Sequence, residues 1–346
     1  MRVLFEIVHP ADVLFFRRPM EALRGRGDEI LILSRRKDIA CELLDELGLS
    51  HHPISTAASG VVPLALEMVR RDLAVYRAAR KFRPDVMVGF GGVAISHAGR
   101  AAGIPSVAFY DSENARLQTR LTWPFITHLY VPSAYCGPTP SCKTTRVPGV
   151  KELSFLHPSA FRTDRSIALA AGLDPERDNF FVRVVAWRAN HDLGKAGWTV
   201  DLLRRVVGRL SEEGAVHLSS ETQLPEDLRR HAYSGPKAAV HQLLAHCRML
   251  VGESATMASE AAVLGVPGIY AGRDFPGYTR ELEAAGLIRN IRAPDAGSLL
   301  PAVDEMLAMP RQEVMAARDR YVASCSDWGD AVVDAIERHA LRRANL

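Results

Sequence analysis

A regular alternation of short β-rich runs with helical stretches is the feature that most narrows the fold of this chain. Apolar runs at 2–8, 29–34, 85–90, 106–110 and 129–132 alternate with helical periodicity at 15–27, 39–47, 64–82 and 95–102. Gly48 and Gly103 stop two of those helices. Strand and helix in this cadence predict parallel sheets with right-handed crossovers. The stretch 132–148, rich in proline, glycine, serine and threonine, is the best linker candidate. After it the pattern restarts, with strands at 179–186, 215–219, 249–252 and 268–270 and helices at 200–212, 237–245 and 256–264. Two doubly wound α/β halves, 1–148 and 149–325, are the economical reading of 346 residues. A last amphipathic stretch at 328–343 has no partner after it in sequence.

Composition removes several classes. With 47% hydrophobic and 24% charged residues the chain is an ordinary globular one, neither disordered nor a coiled coil. No apolar run approaches the ~20 residues of a transmembrane helix, and the N-terminus reads as a strand containing Glu6, so neither a membrane span nor a secretory leader is expected. A net charge of +3 gives no case for nucleic acid. The five cysteines are scattered, with no CxxC pair, as expected for a reducing cytoplasm without a disulfide framework or zinc site.

Four places carry chemistry. In Val251-Gly-Glu-Ser-Ala-Thr-Met-Ala-Ser-Glu260 an apolar strand ends in glycine and small residues open a helix. Ser254, Ala255 and Thr256 fall where helix amides are unpaired and the dipole favours an anion. Glu260 lies one turn deeper than Thr256 on the same face, where a carboxylate can accept ribose hydroxyls. The plain alternative is an N-cap and a solvated glutamate. A second phosphate-compatible loop, 187–194, holds Arg188, His191 and Asp192 after a strand, at the sheet edge where α/β proteins bind ligands; a merely polar loop is the alternative.

Gly89-Phe-Gly-Gly-Val-Ala94 has the GxGxxA form of a dinucleotide fingerprint, with Asp111 twenty residues past Gly91. Its unit is not the first of the domain, so a tight turn at Gly91 and Gly92, allowing another molecule close to the backbone, is favoured over a nicotinamide cofactor. His9, Asp111 and Glu113 all follow first-domain strands and are the candidates for a general base, against a capping or loop role for each. Leu121-Thr-Trp-Pro-Phe-Ile126, with Arg70, Arg71, Arg116 and Arg120, suggests a peripheral membrane contact as a lesser alternative to core packing.

These residues carry a resemblance over nearly the whole chain. The motifs are His9-Pro-Ala with Phe15-Phe16, Lys151-Glu-Leu-Ser-Phe-Leu-His-Pro158, Arg183 to Trp187 with His191-Asp192, Ser220-Glu221 before Leu224-Pro225, His241 to Leu244, and above all Gly252 to Pro267. They resemble a prokaryotic family of predicted glycosyltransferases (domain of unknown function 354) and, more distantly, UDP-N-acetylglucosamine 2-epimerase and the glycosyltransferase of peptidoglycan lipid intermediates. The resemblance implies an α/β GT-B fold: two Rossmann-like domains facing a cleft, the first on the acceptor side, the second binding the nucleotide sugar, and residues 326–346 crossing back to the first. It implies that Ser254, Ala255 and Thr256 hold a diphosphate and Glu260 the ribose, with Glu221 also on the donor side. The epimerase's acid set is incomplete here. Its first acidic position falls at Gly91-Gly92, Asp111 lies near the second, no acid stands at 121–126 for the third, and His191 is displaced within its loop.

The expectation is a cytoplasmic glycosyltransferase taking a UDP-linked sugar as substrate, with an unidentified hydroxyl- or amine-bearing acceptor. No resident cofactor and no metal are expected, because no DxD-type motif accompanies the donor block. A nucleotide-sugar 2-epimerase and a non-catalytic nucleotide-sugar binder are the alternatives.

Overall fold

The computed structural model describes residues 1–58, 60–113, 115–185, 198–272 and 274–344. It divides into Met1–Phe155 with Cys325–Leu346, and Leu156–Ser324.

The first unit runs β1 (Arg2–Ile7), α1 (Pro10–Gly25), β2 (Glu29–Arg36), α2 (Ala40–Glu46), β3 (His52–Thr56), α3 (Val61–Phe82), β4 (Val86–Phe90), α4 (Val93–Ala102), β5 (Ser106–Phe109), α5 (Arg116–Thr122), β6 (His128–Pro132) and β7 (Thr144–Val147). A single turn, α6 (Leu153–Leu156), ends it. The sheet is wholly parallel in the order β3-β2-β1-β4-β5-β6-β7. Val3 to Ile7 are buried throughout, as a parallel strand covered on both faces requires. Glu6, the one charge in that run, is neutralised by Arg71 of α3 at 3.1 Å.

The stretch 132–148 is not a linker: Thr144–Val147 pairs with β6 and closes the sheet. The unit boundary lies past the expected 148/149 break because the next residues are tied back into the first unit. Lys151 pairs with Asp111, and the Ser154 hydroxyl donates to the Phe15 carbonyl at 2.5 Å.

The second unit runs α7 (Arg165–Ala170), β8 (Asp178–Val184), α8 (Val200–Glu213), β9 (Gly214–Ser220), α9 (Val240–Leu244), β10 (Met249–Gly252), α10 (Ala255–Leu264), β11 (Gly268–Tyr270), α11 (Gly277–Ala284), β12 (Ile288–Asn290), α12 (Ala296–Ala308) and α13 (Arg311–Ala323). Its parallel order is β12-β11-β10-β8-β9. One side is filled from β8, α8, β10 and α12 by Phe180, Val182, Leu203, Val206, Val251 and Val303. The last helix, α14 (Trp328–Ala344), packs on α1. Trp328 meets Phe15 edge-on, and Arg18 pairs with Asp327 at 2.5 Å and Asp330 at 2.9 Å.

Both sheets reverse their strand order once. In the first the reversal lies between β1 and β4, and in the second between β8 and β10. The crevice beyond the carboxyl ends of such a strand pair is where open α/β sheets take ligands.

Candidate functional site

In the second unit the loop after β10 sits at that reversal. A Cβ at Gly252 would lie 2.2 Å from the Arg183 carbonyl of β8, so only glycine lets the two strands approach there. The Ser254 hydroxyl accepts from the Met257 amide at 3.2 Å and caps α10. That leaves the Ala255 and Thr256 amides at the helix start without intrahelical acceptors, the arrangement that receives an anion.

Glu260 is not the solvated glutamate of the plain alternative: it is 5% exposed and its Oε1 lies 3.3 Å from His241 Nε2 of α9. The reason is that Ala-Thr-Met-Ala-Ser-Glu-Ala-Ala-Val-Leu is apolar on nearly every face, and such a helix is buried. Any hydroxyl that Glu260 receives therefore meets a largely desolvated carboxylate, where a charge-assisted hydrogen bond is strong.

Glu253, not singled out in the sequence, accepts from the amides of Val185 at 3.1 Å and Trp198 at 2.8 Å. One carboxylate thus holds the chain on both sides of 186–197 against the start of α10. Arg188, His191 and Asp192 lie outside the described residues. Glu221 is half exposed and takes the Arg183 guanidinium at 2.6 Å, while Arg183 also donates to Ser219. Arg183 stands opposite Gly252 in the strand register, so this cation is at the same sheet edge.

In the first unit the residues after β1, β4 and β5 gather at the other reversal. His9 caps α1, its Nδ1 accepting from the Ala11 amide at 3.2 Å. Burial lowers its pKa, with Lys37 and Lys151 acting in the same direction and Asp38 and Asp111 against them. A neutral ring whose Nδ1 accepts carries its proton on Nε2, so His9 presents a donor. Asp12 completes the capping box by accepting from the amides of Val8 and His9, both at 2.9 Å, and burial pushes its pKa up to about 7.

Asp111 is buried and ion-paired with Lys151, whose ammonium also reaches Glu152 at 3.2 Å and lies 5.6 Å from the centre of the Phe90 ring. Its other oxygen, Oδ1, accepts from the Ser112 hydroxyl at 3.2 Å. Glu113 is turned toward the loop after β6, where it accepts from the Cys136 amide at 2.8 Å. Gly91 and Gly92 both have positive φ, and a Cβ at Gly91 would meet the Gln118 amide nitrogen at 2.0 Å. His9, Asp111 and Lys151 are thus brought into one electrostatic neighbourhood, and Lys151 is its unforeseen member. Among the described residues no group of three or more His, Cys, Asp or Glu is arranged to hold a metal ion.

No protein-family model matches the chain, nor does any curated protein sequence, so the narrower prokaryotic family that the motifs resemble has no support from sequence. Solved structures do match. UDP-GlcNAc 2-epimerase from Neisseria meningitidis, solved bound to UDP-GlcNAc, is similar over 98% of this chain and 100% of its own, with a TM-score of 0.66 at 11% identity. The glycosyltransferase of kitacinnamycin is similar over 98% and 99%, with a TM-score of 0.65 at 15% identity. Spinosyn rhamnosyltransferase, solved with the spinosyn aglycone, is similar over 97% and 100%, with a TM-score of 0.60 at 16% identity. Likeness at this level establishes the fold: two Rossmann-like α/β domains with parallel sheets, of the GT-B type.

Proposed function

We propose that the protein is a glycosyltransferase that moves a sugar from a UDP-linked donor to a hydroxyl or amine acceptor. The observation that carries this reading is the strand-loop-helix at the second sheet's reversal, with helix-start amides that have no intrahelical acceptor and, one turn deeper, the buried Glu260. In this reading the amides of Ala255 and Thr256 receive the diphosphate and Glu260 accepts from the ribose. The leaving nucleotide's charge is then met by dipoles already oriented for it. The similar epimerase and glycosyltransferase structures, one solved with UDP-GlcNAc, support a nucleotide-sugar partner.

During transfer the acceptor oxygen or nitrogen bonds to the anomeric carbon as the bond from that carbon to the diphosphate breaks. The acceptor's proton passes to a base on the first unit, where Asp111 is the foremost candidate. Its Oδ1 carries only a serine hydroxyl's hydrogen bond among the described contacts, while Lys151 fixes the other oxygen. His9, presenting an N–H, is suited to orient an oxygen of acceptor or phosphate rather than to take a proton from it.

Transfer is preferred to epimerisation because the Gly91-Gly92 turn supplies no carboxylate, and the positive φ of both residues disfavours a side chain there. The test is incubation of the pure protein with UDP-sugars, with and without cell extract, following free UDP and sugar stereochemistry. Acceptor-dependent UDP release is the expected result. An isomerised donor without acceptor would instead identify an epimerase, and binding without turnover a nucleotide-sugar binding protein.

A further inference from the structure

The apolar residues left on the surface are not scattered. Eleven large hydrophobic side chains are exposed among the described residues, and eight of them are Val61, Val62, Leu64, Leu66, Val69 and Leu73 on α3, Leu117 on α5, and Phe125 just after it. Scattered exposed leucines are ordinary, whereas a concentration of this kind marks an interaction surface. Val62, Leu66, Val69 and Leu73 recur at intervals of four, three and four, which places them in one stripe along the helix.

The two elements form one continuous face. His97 of α4 bonds Asp72 of α3 through Nδ1 at 2.7 Å and the Leu121 carbonyl of α5 through Nε2 at 3.0 Å. Its ring meets that of Phe125 edge-on at 5.1 Å.

Charge says what the face is for. Both acidic residues of α3 are engaged by a neighbouring cation or imidazole: Glu67 by Arg35 and Asp72, through one oxygen, by His97. Arg71, expected on this surface from the sequence, instead turns inward to Glu6. The exposed charges of α3 are Arg70, Arg77, Arg80 and Lys81, and those of α5 are Arg116 and Arg120. None of these six pairs with a carboxylate among the described residues.

We propose that this face of α3 and α5 docks on an anionic lipid bilayer. An amphipathic helix with one apolar stripe flanked by arginines lies in the plane of the lipid interface, with its apolar side chains among the acyl chains and its cations at the phosphates. No helix among the described residues is long and apolar enough to cross a membrane, so this is contact from one side. A second copy of the chain is the weaker occupant, because pairing this face with itself sets arginine against arginine with no acid between. The proposal stands apart from the glycosyltransferase reading and does not depend on it.

The test is co-sedimentation of the full chain with vesicles of phosphatidylcholine alone and of phosphatidylcholine with phosphatidylglycerol. The protein is expected to bind the anionic vesicles at least ~10-fold more tightly, and to release them as salt rises. Arg77→Gln with Arg80→Gln is expected to weaken binding roughly 30-fold, at about a fivefold loss for each surface cation. Leu66→Asp with Leu73→Asp is expected to abolish binding while leaving the circular dichroism spectrum and Tm unchanged, since both side chains are exposed. No binding to either vesicle, equal binding to both, or binding that ignores all four substitutions would overturn the proposal. So would a dimer in sedimentation equilibrium that Leu66→Asp with Leu73→Asp disrupts, in a protein that leaves the vesicles untouched; the face would then belong to a second copy.

Discussion

Asp111 grips the ammonium of Lys151 where both side chains are all but shut off from water, at 6% and 8% exposure. The carboxylate arrives two residues past β5 and the ammonium from the turn after β7, so the pair ties the sheet's core strands to its edge. Removing one member of a buried pair leaves the other's desolvation uncompensated. Lys151→Met takes the shared cation from Asp111 and Glu152 together and is expected to cost about 3–5 kcal/mol in urea denaturation. Asp111→Asn is expected to cost less, because Glu152 remains 3.2 Å from the ammonium. Equal stability of all three proteins would mean that the pair contributes nothing to the fold.

The same Asp111→Asn protein tests the proposed chemistry. A base within hydrogen-bond reach of the acceptor contributes about 10²–10⁴-fold, so acceptor-dependent UDP release is expected to fall at least ~100-fold with UDP affinity retained. His9→Ala is expected to fall less, as a residue that orients rather than takes the proton. Full turnover in Asp111→Asn would move the search for the base to Glu113 and His191.

Glu260 separates donor binding from folding only with a careful choice of substitution, because it is buried beside His241. Glu260→Ala is expected to lower Tm as well as UDP affinity. Glu260→Gln keeps the volume and one acceptor, and is expected to weaken UDP binding by about 1.5–3 kcal/mol in titration calorimetry with little change in Tm. Unchanged UDP affinity in Glu260→Gln would confine Glu260 to holding α9 against α10. Ser254→Ala is the poorer probe, since losing the cap alone costs about 1 kcal/mol.

Most strands that sequence made plain have buried centres that read as apolar runs, and β9, read at 215–219, is the one edge strand among them. The three it did not make plain, β3 (His-Pro-Ile-Ser-Thr), β7 (Thr-Thr-Arg-Val) and β12 (Ile-Arg-Asn), are all at sheet edges, where one row of hydrogen bonds and partial burial ask little of side chains. The site divides in a similar way. The cap at Ser254 was visible because capping is local in sequence. Lys151 and Glu253 were not, because their partners lie 40 and 55–68 residues away. The burial of Glu260 did have a signal, the lack of any polar face on α10, but its spacing from Thr256 was read ahead of it.

Asp12 and His9 give the first unit a pH dependence of known sign. Burial raises the Asp12 pKa from 3.8 to about 7, so between those values the folded state holds a proton that the unfolded chain has released. Asp12's contribution to stability is therefore fully present below pH 3.8 and is lost as pH rises through about 7. His9 opposes it. Its pKa is lowered by burial, so protonating it as pH falls below its unfolded value of 6.5 disfavours the fold. Wild type alone would show only the sum. Asp12→Asn keeps a carbonyl to accept from the Val8 or His9 amide and removes the titration. The difference in unfolding free energy between the two proteins, followed by urea denaturation from pH 4 to pH 8, is expected to move in favour of Asp12→Asn by a few kcal/mol as pH rises. A difference that stays flat across that range would mean that Asp12 titrates alike in the folded and unfolded chains, held down by the two amides at the start of α1 as firmly as burial pushes it up.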